Sequence, residues 1–302
     1  MGFDGEPFRW ATDSIVLSGS IVLSGKEPRV ETAPAASFLA RHEFLIRRLH
    51  SLSGLIPVGA YMVIHLMTNA SLLNSPSTFQ RAVYQIHSLG ALLPLVEWVF
   101  IFIPILFHAV IGVVIIRGGL PNSATYSYSS NIRYTLQRAS GMVAFAFIVW
   151  HVFHLHGWFH FEQWLEVAEP LGGAQFKPFN AASTVGIAMS GFVSPLLYAI
   201  GVLSCVYHLA NGIWTMGITW GIWVSPAAQK RADVACIVAG VALAAISFAA
   251  WLGAVQVDVE EARIVEKKMQ EARIASGEID EEDRRHKASP ETQQAGNHEL
   301  HE

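Results

Sequence analysis

Leu92-Leu-Pro-Leu-Val-Glu-Trp-Val-Phe-Ile-Phe-Ile-Pro-Ile-Leu-Phe-His-Ala-Val-Ile-Gly-Val-Val-Ile-Ile116 is a run of 25 residues with one carboxylate, Glu97, and one histidine, His108. As a helix it would extend about 38 Å, more than the ~30 Å of bilayer hydrocarbon. Four further stretches share this character: Leu49–Leu73, Leu136–Phe159, Thr184–Trp214 and Asp233–Val257. The whole chain agrees, with 302 residues that are 52% hydrophobic and 15% charged and a mean hydropathy of +0.37. It is too apolar for an ordinary soluble protein of this size. The predicted fold is all-α, an integral membrane bundle of five transmembrane helices in contact with lipid.

The flanks differ from the bundle. Residues 1–41 are mixed, repeat Ile15-Val-Leu-Ser-Gly19 as Ile21-Val-Leu-Ser-Gly25, and lack the basic start, apolar run and cleavage site of a signal peptide. Residues 258–302 hold 13 acidic and 7 basic side chains with few large apolar ones, a solvated tail that is helical at first. Three regions follow: an extension over 1–41, a membrane domain over 42–257 and a charged tail over 258–302.

Basic residues orient the spans. Arg41, Arg47 and Arg48 precede the first, Arg117, Arg133 and Arg138 lie between the second and third, and Lys230 and Arg231 between the fourth and fifth; the opposite loops hold only Arg81 and Lys177. The expected arrangement is a multi-pass protein of the cytoplasmic membrane with the N-terminal extension cytoplasmic and the C-terminal tail outside. The net charge of −4 and these short basic clusters argue against nucleic acid as a partner. Cys205 and Cys236 each sit in an apolar segment, outside any Cys-x-x-Cys-His motif, so neither a disulfide framework nor covalent haem is indicated.

Four spans carry one histidine each in their apolar interior: His65, His108, His151 and His208. A metal-binding side chain within a span is costly and is usually retained for a cofactor, a proton path or an ion. His65 and His151 follow Arg48 and Arg138 by 17 and 13 residues, roughly 26 and 20 Å along a helix, toward the outer face. His108 precedes Arg117 by nine residues, about 14 Å from the inner end, and His208 also falls late in an inward-running span. Two depth-matched pairs result, His65 with His151 outside and His108 with His208 inside. An imidazole on each side of the macrocycle is what a six-coordinate b-type haem requires. Gly54 and Gly141 precede His65 and His151 by 11 and 10 residues, ~15 to 16 Å deeper, so they lie at the inner level and can admit a flat ring; close helix packing is their plainer role.

Alternatives fit the spacing less well. A cytochrome b of the quinol-oxidising complexes places two haem ligands on one helix, whereas these four come from four helices. Zinc would need its ligands at one depth. A haem-free transporter or anchor with a histidine proton relay would more often pair its histidines with buried acids, and Glu97 is the sole carboxylate within the first four expected spans.

The stretch Phe44-Leu-Ile-Arg-Arg-Leu-His-Ser-Leu-Ser-Gly-Leu-Ile-Pro-Val-Gly59 leading to His65-Leu66 resembles the first span of the cytochrome b membrane-anchor subunit of succinate dehydrogenase, in its single-subunit, five-helix, dihaem form. Pro104-Ile-Leu-Phe-His108, Leu136-Gln-Arg-Ala-Ser-Gly141 running to Trp150-His151-Val152, Tyr207-His208-Leu-Ala-Asn-Gly-Ile-Trp214 and Thr219-Trp-Gly-Ile222 continue the likeness in order. It covers about Phe44 to Val257 and does not extend to the two flanks.

The resemblance implies the quinone-reducing membrane subunit of a succinate:menaquinone oxidoreductase, respiratory complex II of the tricarboxylic acid cycle. It implies two haem b, with His108 and His208 binding the inner iron and His65 and His151 the outer one. A flavoprotein subunit oxidises succinate in this family, an iron–sulfur subunit passes the electrons on, and menaquinone accepts them. This chain has neither a dinucleotide fingerprint nor a cysteine cluster, so it needs both partners. The dihaem anchors of quinol:fumarate reductases resemble the same design. Glu97 is a candidate for quinone-linked proton exchange, against a plain interfacial carboxylate. His50, Ser51 and Arg138 are candidates for holding haem propionates or the iron–sulfur subunit. His154, His156 and His160 are expected to be solvent-exposed, with substitution of one of them as a ligand the alternative, and Trp158, Trp164, Trp214, Trp220 and Trp223 to anchor the interface.

Overall fold

The computed structural model describes residues 41–118 and 128–279; the extension up to residue 40, residues 119–127 and the tail from 280 lie outside the described residues. The helices are α1 (Glu43–Leu55), α2 (Val58–Ala70), α3 (Pro76–His87), α4 (Leu93–Glu97), α5 (Ile103–Arg117), α6 (Ser129–His151), α7 (Glu162–Ala168), α8 (Ala181–Ala188), α9 (Val193–Thr219), α10 (Pro226–Val255) and α11 (Val259–Ala275). There is no strand among the described residues. Among the described residues five helical stretches are long and apolar enough to cross a membrane: Glu43–Leu73, Gly90–Arg117, Asn131–His156, Val193–Thr219 and Pro226–Val255.

The fourth span differs from its expected range. The apolar residues from Thr184 onward do not belong to one helix: α8 ends at Ala188, Gly191 takes φ 75°, and α9 starts at Val193. A 31-residue helix from Thr184 to Trp214 would measure about 46 Å, well beyond the bilayer core. Hydropathy cannot separate a short buried helix from the span that follows it, because both are apolar.

Lipid as solvent explains the outer surface. Large side chains such as Phe100, Val110, Ile237 and Phe248 are 55–61% exposed, which would be an aggregation surface in water and is ordinary in hydrocarbon. Inside, α9 packs on both α6 and α10, α10 on α2, and α1 on α5 and α9. Leu66, Val206 and Leu243 form the buried seam between these helices. A β-carbon on Gly59 would stand 2.8 Å from Leu209 Cδ1, so the bare backbone there permits close helix approach.

At the end opposite Arg47 and Arg48, α3, α8 and α11 pack together around Phe79, Val83, Ala181, Ala182, Val185 and Ala262. Local chemistry starts these helices. Ser75 accepts from Thr78 N–H with Pro76 in the first turn, and Asp258 accepts from the N–H groups of Glu260 and Glu261, both N-caps. The helical start of the tail is therefore not fully solvated: Ala262, Glu266 and Gln270, spaced by four, are buried.

Two polar side chains hold this end. Gln80 donates to Pro178 O at 2.6 Å and accepts from Ala181 N–H at 2.9 Å. Glu266, with no exposed surface, accepts from Ala182 N–H (2.6 Å), Ser183 N–H (3.0 Å) and Ser183 Oγ (2.6 Å). The otherwise unpaired amides at the start of α8 thus find acceptors on other helices.

Candidate functional site

At the end carrying Arg48, Arg117 and Arg138, His108 from α5 faces His208 from α9, with ring centres 6.1 Å apart and planes at 85°. His108 Nδ1 is 2.8 Å from the carbonyl of His50, and His208 Nδ1 is 3.0 Å from that of Gln137. A carbonyl only accepts, so Nδ1 carries the proton in both rings and Nε2 keeps its lone pair. Gly54 and Gly141 lie directly against these rings. A β-carbon on Gly54 would stand 2.6 Å from His108 Nδ1, and one on Gly141 2.7 Å from His208 Cε1.

A polar network fixes the register of α6, α9 and α10 here. Arg133 donates to Asn211 Oδ1 and, at 2.5 Å, to Asp233 Oδ1. Asn211 donates to Gln137 Oε1 at 2.7 Å, and Gln137 donates to His208 O at 3.1 Å. The Arg133 guanidinium also lies 3.9 Å over the Trp214 ring, where the negative face of the indole attracts it. Arg138 donates to the carbonyls of Ile115 and Ile116, completing the C-terminus of α5.

Toward the opposite end, His65 from α2 faces His151 from α6, with ring centres 5.9 Å apart and planes at 75°. His151 Nδ1 is 3.2 Å from Tyr198 Oη, and His154 Nδ1 is 3.1 Å from the same oxygen. The third span ends in a π-helical turn, Val152–His156, closed by Gly157 at φ 81°. The returning N–H groups of Ala174, Gln175 and Phe176 then donate to the carbonyls of Phe153, His154 and Leu155. His154 is 8% exposed, stacked on Trp150 at 4.8 Å and packed against Tyr198. The expectation of a solvated His154 is thereby overturned, because depth along the helix could not register which way its ring turns or that Tyr198 of α9 packs on it. His156 is half-buried and His160 exposed.

The four histidines thus come together as two pairs, and among the described residues no group of three or more His, Cys, Asp or Glu side chains could hold a metal ion. Pairs suffice for haem, whose macrocycle supplies the other nitrogens. Two imidazoles on opposite sides of one metal at about 2.0–2.1 Å per bond, with about 1.1 Å from nitrogen to ring centre, would place their centres about 6.3 Å apart. The pairs, at 6.1 and 5.9 Å, lie within about 0.4 Å of that separation. Beside the His108 pair, buried Arg48 Nε and His50 Nδ1 have no hydrogen-bond partner among the described residues, and the His50 ring stacks on His108 at 4.0 Å. Ser51 is already engaged, accepting from Trp220 Nε1 and donating to Arg48 O. Glu97, at the far end of the second span, is half-buried.

No family model matches the chain. The succinate dehydrogenase cytochrome b558 subunit of Bacillus subtilis (strain 168) is 34% identical over 208 residues, 69% of this chain and 95% of the relative. The chain belongs to the succinate dehydrogenase cytochrome b subunits. It is a multi-pass membrane subunit of an oxidoreductase complex, as the resemblance over Phe44 to Val257 implied, and a haem-free transporter is not favoured. A cytochrome b implies haem b, and the residues present fit that group in the spacing of both pairs and, at the inner pair, in the protonation of Nδ1 and the bare glycines beside the imidazoles.

Several residues around the pairs were not singled out from sequence. Tyr198 precedes His208 by ten residues on one helix, so the same ~15 Å arithmetic that linked Gly141 to His151 would have placed it at the level of the other pair. Gln137, Asn211 and Arg133 had no such signal as a network, because they meet only through helix packing.

Proposed function

We propose that this subunit is the dihaem electron conduit of a succinate:menaquinone oxidoreductase, and the observation that carries the reading is the pair of facing imidazoles repeated at two depths. His108 and His208 hold the group at the cytoplasmic end; His65 and His151 hold the one nearer the outside. When bound, two haem b supply one-electron redox chemistry between an iron–sulfur subunit and menaquinone. The residues around them prepare the sites. The carbonyls of His50 and Gln137 orient the inner imidazoles and fix their tautomers, which raises ligand basicity. Gly54 and Gly141 leave the space that the imidazoles of His108 and His208 occupy. Arg48 and His50 present unpartnered buried nitrogens to acidic substituents at the inner edge, while Arg138 serves the carbonyl end of α5.

The basic ends of the spans support a cytoplasmic N-terminus, an extracytoplasmic C-terminus and docking of the flavoprotein and iron–sulfur subunits at the His108–His208 end. Glu97 then lies toward the outside, where it exchanges protons with menaquinone. The decisive measurement is haem content in the purified complex. Two haem b per chain, resolved as two midpoint potentials, is the expected result; a ratio near one, or no Soret band, would overturn the reading.

A further inference from the structure

We propose that Tyr198 is a positioning residue for the outer histidine pair: its hydroxyl accepts from Nδ1–H of His151 and donates to Nδ1 of His154, and this directed chain sets how strongly His151 donates to the iron it binds. The inference rests on the reading of His151 as a haem ligand. A neutral imidazole has one N–H and one lone pair. If Nε2 of His151 binds iron, Nδ1 must carry the proton, and the atom it meets at 3.2 Å is Tyr198 Oη. The phenol is then the acceptor in that bond. Its single hydrogen is free for the other neighbour, His154 Nδ1 at 3.1 Å, which leaves the His154 proton on Nε2.

The surroundings allow little else. Tyr198 and His154 are each 8% exposed. Phe147 meets the Tyr198 ring edge-on at 5.4 Å and Trp150 at 5.2 Å, so the phenol is held by apolar faces with its oxygen aimed between two imidazoles. In such low-dielectric surroundings hydrogen bonds in series strengthen one another. The inner pair is built differently. His108 and His208 lean on backbone carbonyls, fixed dipoles that no side-chain replacement removes, whereas His151 leans on a hydroxyl polarised by a second histidine.

Loss of the acceptor weakens electron donation by His151 and disfavours the ferric state, so the outer midpoint potential rises. Tyr198→Phe keeps the ring and its packing and removes only the oxygen. In the assembled, purified complex, an optical redox titration should show the ferric-to-ferrous ratio of the outer component falling about tenfold at fixed potential, an upward shift of ~59 mV for one electron. The inner component should stay in place. His154→Leu, which leaves Tyr198 without its acceptor, should shift the outer component in the same direction by less. Two haems with wild-type midpoints in both variants would overturn the role of Tyr198 while leaving the dihaem reading intact. A shift of the inner component in Tyr198→Phe, or one haem in the unmodified complex, would overturn the pairing and the inference with it. Should Tyr198→Phe lose the outer haem, His154→Leu decides, and an unshifted outer midpoint there overturns the proposal.

Discussion

The imidazole of His108 occupies the place a side chain on Gly54 would take: a β-carbon there would lie 2.6 Å from its Nδ1. Gly54 ends the first half of one span and His108 lies in the middle of the next, so this contact ties the position of a candidate ligand to the absence of a side chain 54 residues earlier. Gly141 and His208 repeat the relationship on the other side of the pair.

Enlarging either glycine should therefore damage one site selectively. Gly54→Val and Gly141→Val force the ring or the helix to move, an overpacking cost of about 1–3 kcal/mol. In the purified complex the haem-to-chain ratio should fall from two toward one, with the higher or lower potential component lost in both variants alike. Full retention of both components would show that the rings do not depend on these glycines.

Replacement of the histidines should sort by pair. His108→Ala and His208→Ala are expected to remove one spectral component, and His65→Ala and His151→Ala the other, because among the four candidate ligands His108 meets His208 and His65 meets His151, each across about 6 Å. Loss of one and the same component in His65→Ala and His108→Ala would contradict the observed pairing.

Glu266 makes the packing of α8 and α11 depend on pH. Burial pushes its carboxyl above the ordinary range, against the opposing hydrogen bonds from Ser183 and Ala182. A raised folded-state value means that the folded protein binds the proton more tightly than the unfolded chain. The stabilisation is complete below the ordinary carboxyl value and is lost as pH rises through the folded-state value. Hydrogen exchange of residues 181–188 and 259–275, corrected for intrinsic rates, should show more protection at pH 5 than at pH 8. Glu266→Gln should flatten that dependence. Glu266→Ala, which strands three donors, should weaken the packing of these helices at every pH by about 3 kcal/mol or more.

The proposed orientation couples quinone reduction to the membrane potential, worth about 2.3 kcal/mol per elementary charge per 100 mV. Succinate-driven menaquinone reduction in intact vesicles should slow when an uncoupler collapses the potential. His65→Ala should leave succinate oxidation by a soluble dye nearly intact and abolish reduction of menaquinone. A His65→Ala complex with normal menaquinone reduction would refute the assignment of the outer pair.

Sequence reading and structure part company at particular residues. Depth arithmetic brought His65 to the level of His151, because the rise per residue in a helix is constant, and the late place of His208 in an inward-running span matched it to His108. The same arithmetic described His154 as solvent-facing, since it lies one turn beyond His151 near the end of the span. Its ring is instead buried against Trp150 and against Tyr198, which comes from another helix. Thr184 was assigned to the fourth span for a related reason: α8 is as apolar as a span, but Gly191 breaks the helix before the membrane crossing begins.

What the sequence by itself determined is one-dimensional: five apolar stretches, the place of each histidine along its span, and the two glycines one pair-spacing below. Hydropathy and helical rise are properties of a single segment, and they carry that information without any partner. The tertiary structure alone decided which faces meet. Tyr198 stands between His151 and His154, Arg133 reaches Asn211 and Asp233, and Glu266 receives the first amides of a helix more than 80 residues away in the chain. Those contacts depend on helix rotation and chain reversal, which a polar residue does not announce by its spacing, and each is held in place because a buried polar group must find its partner wherever packing brings one within reach.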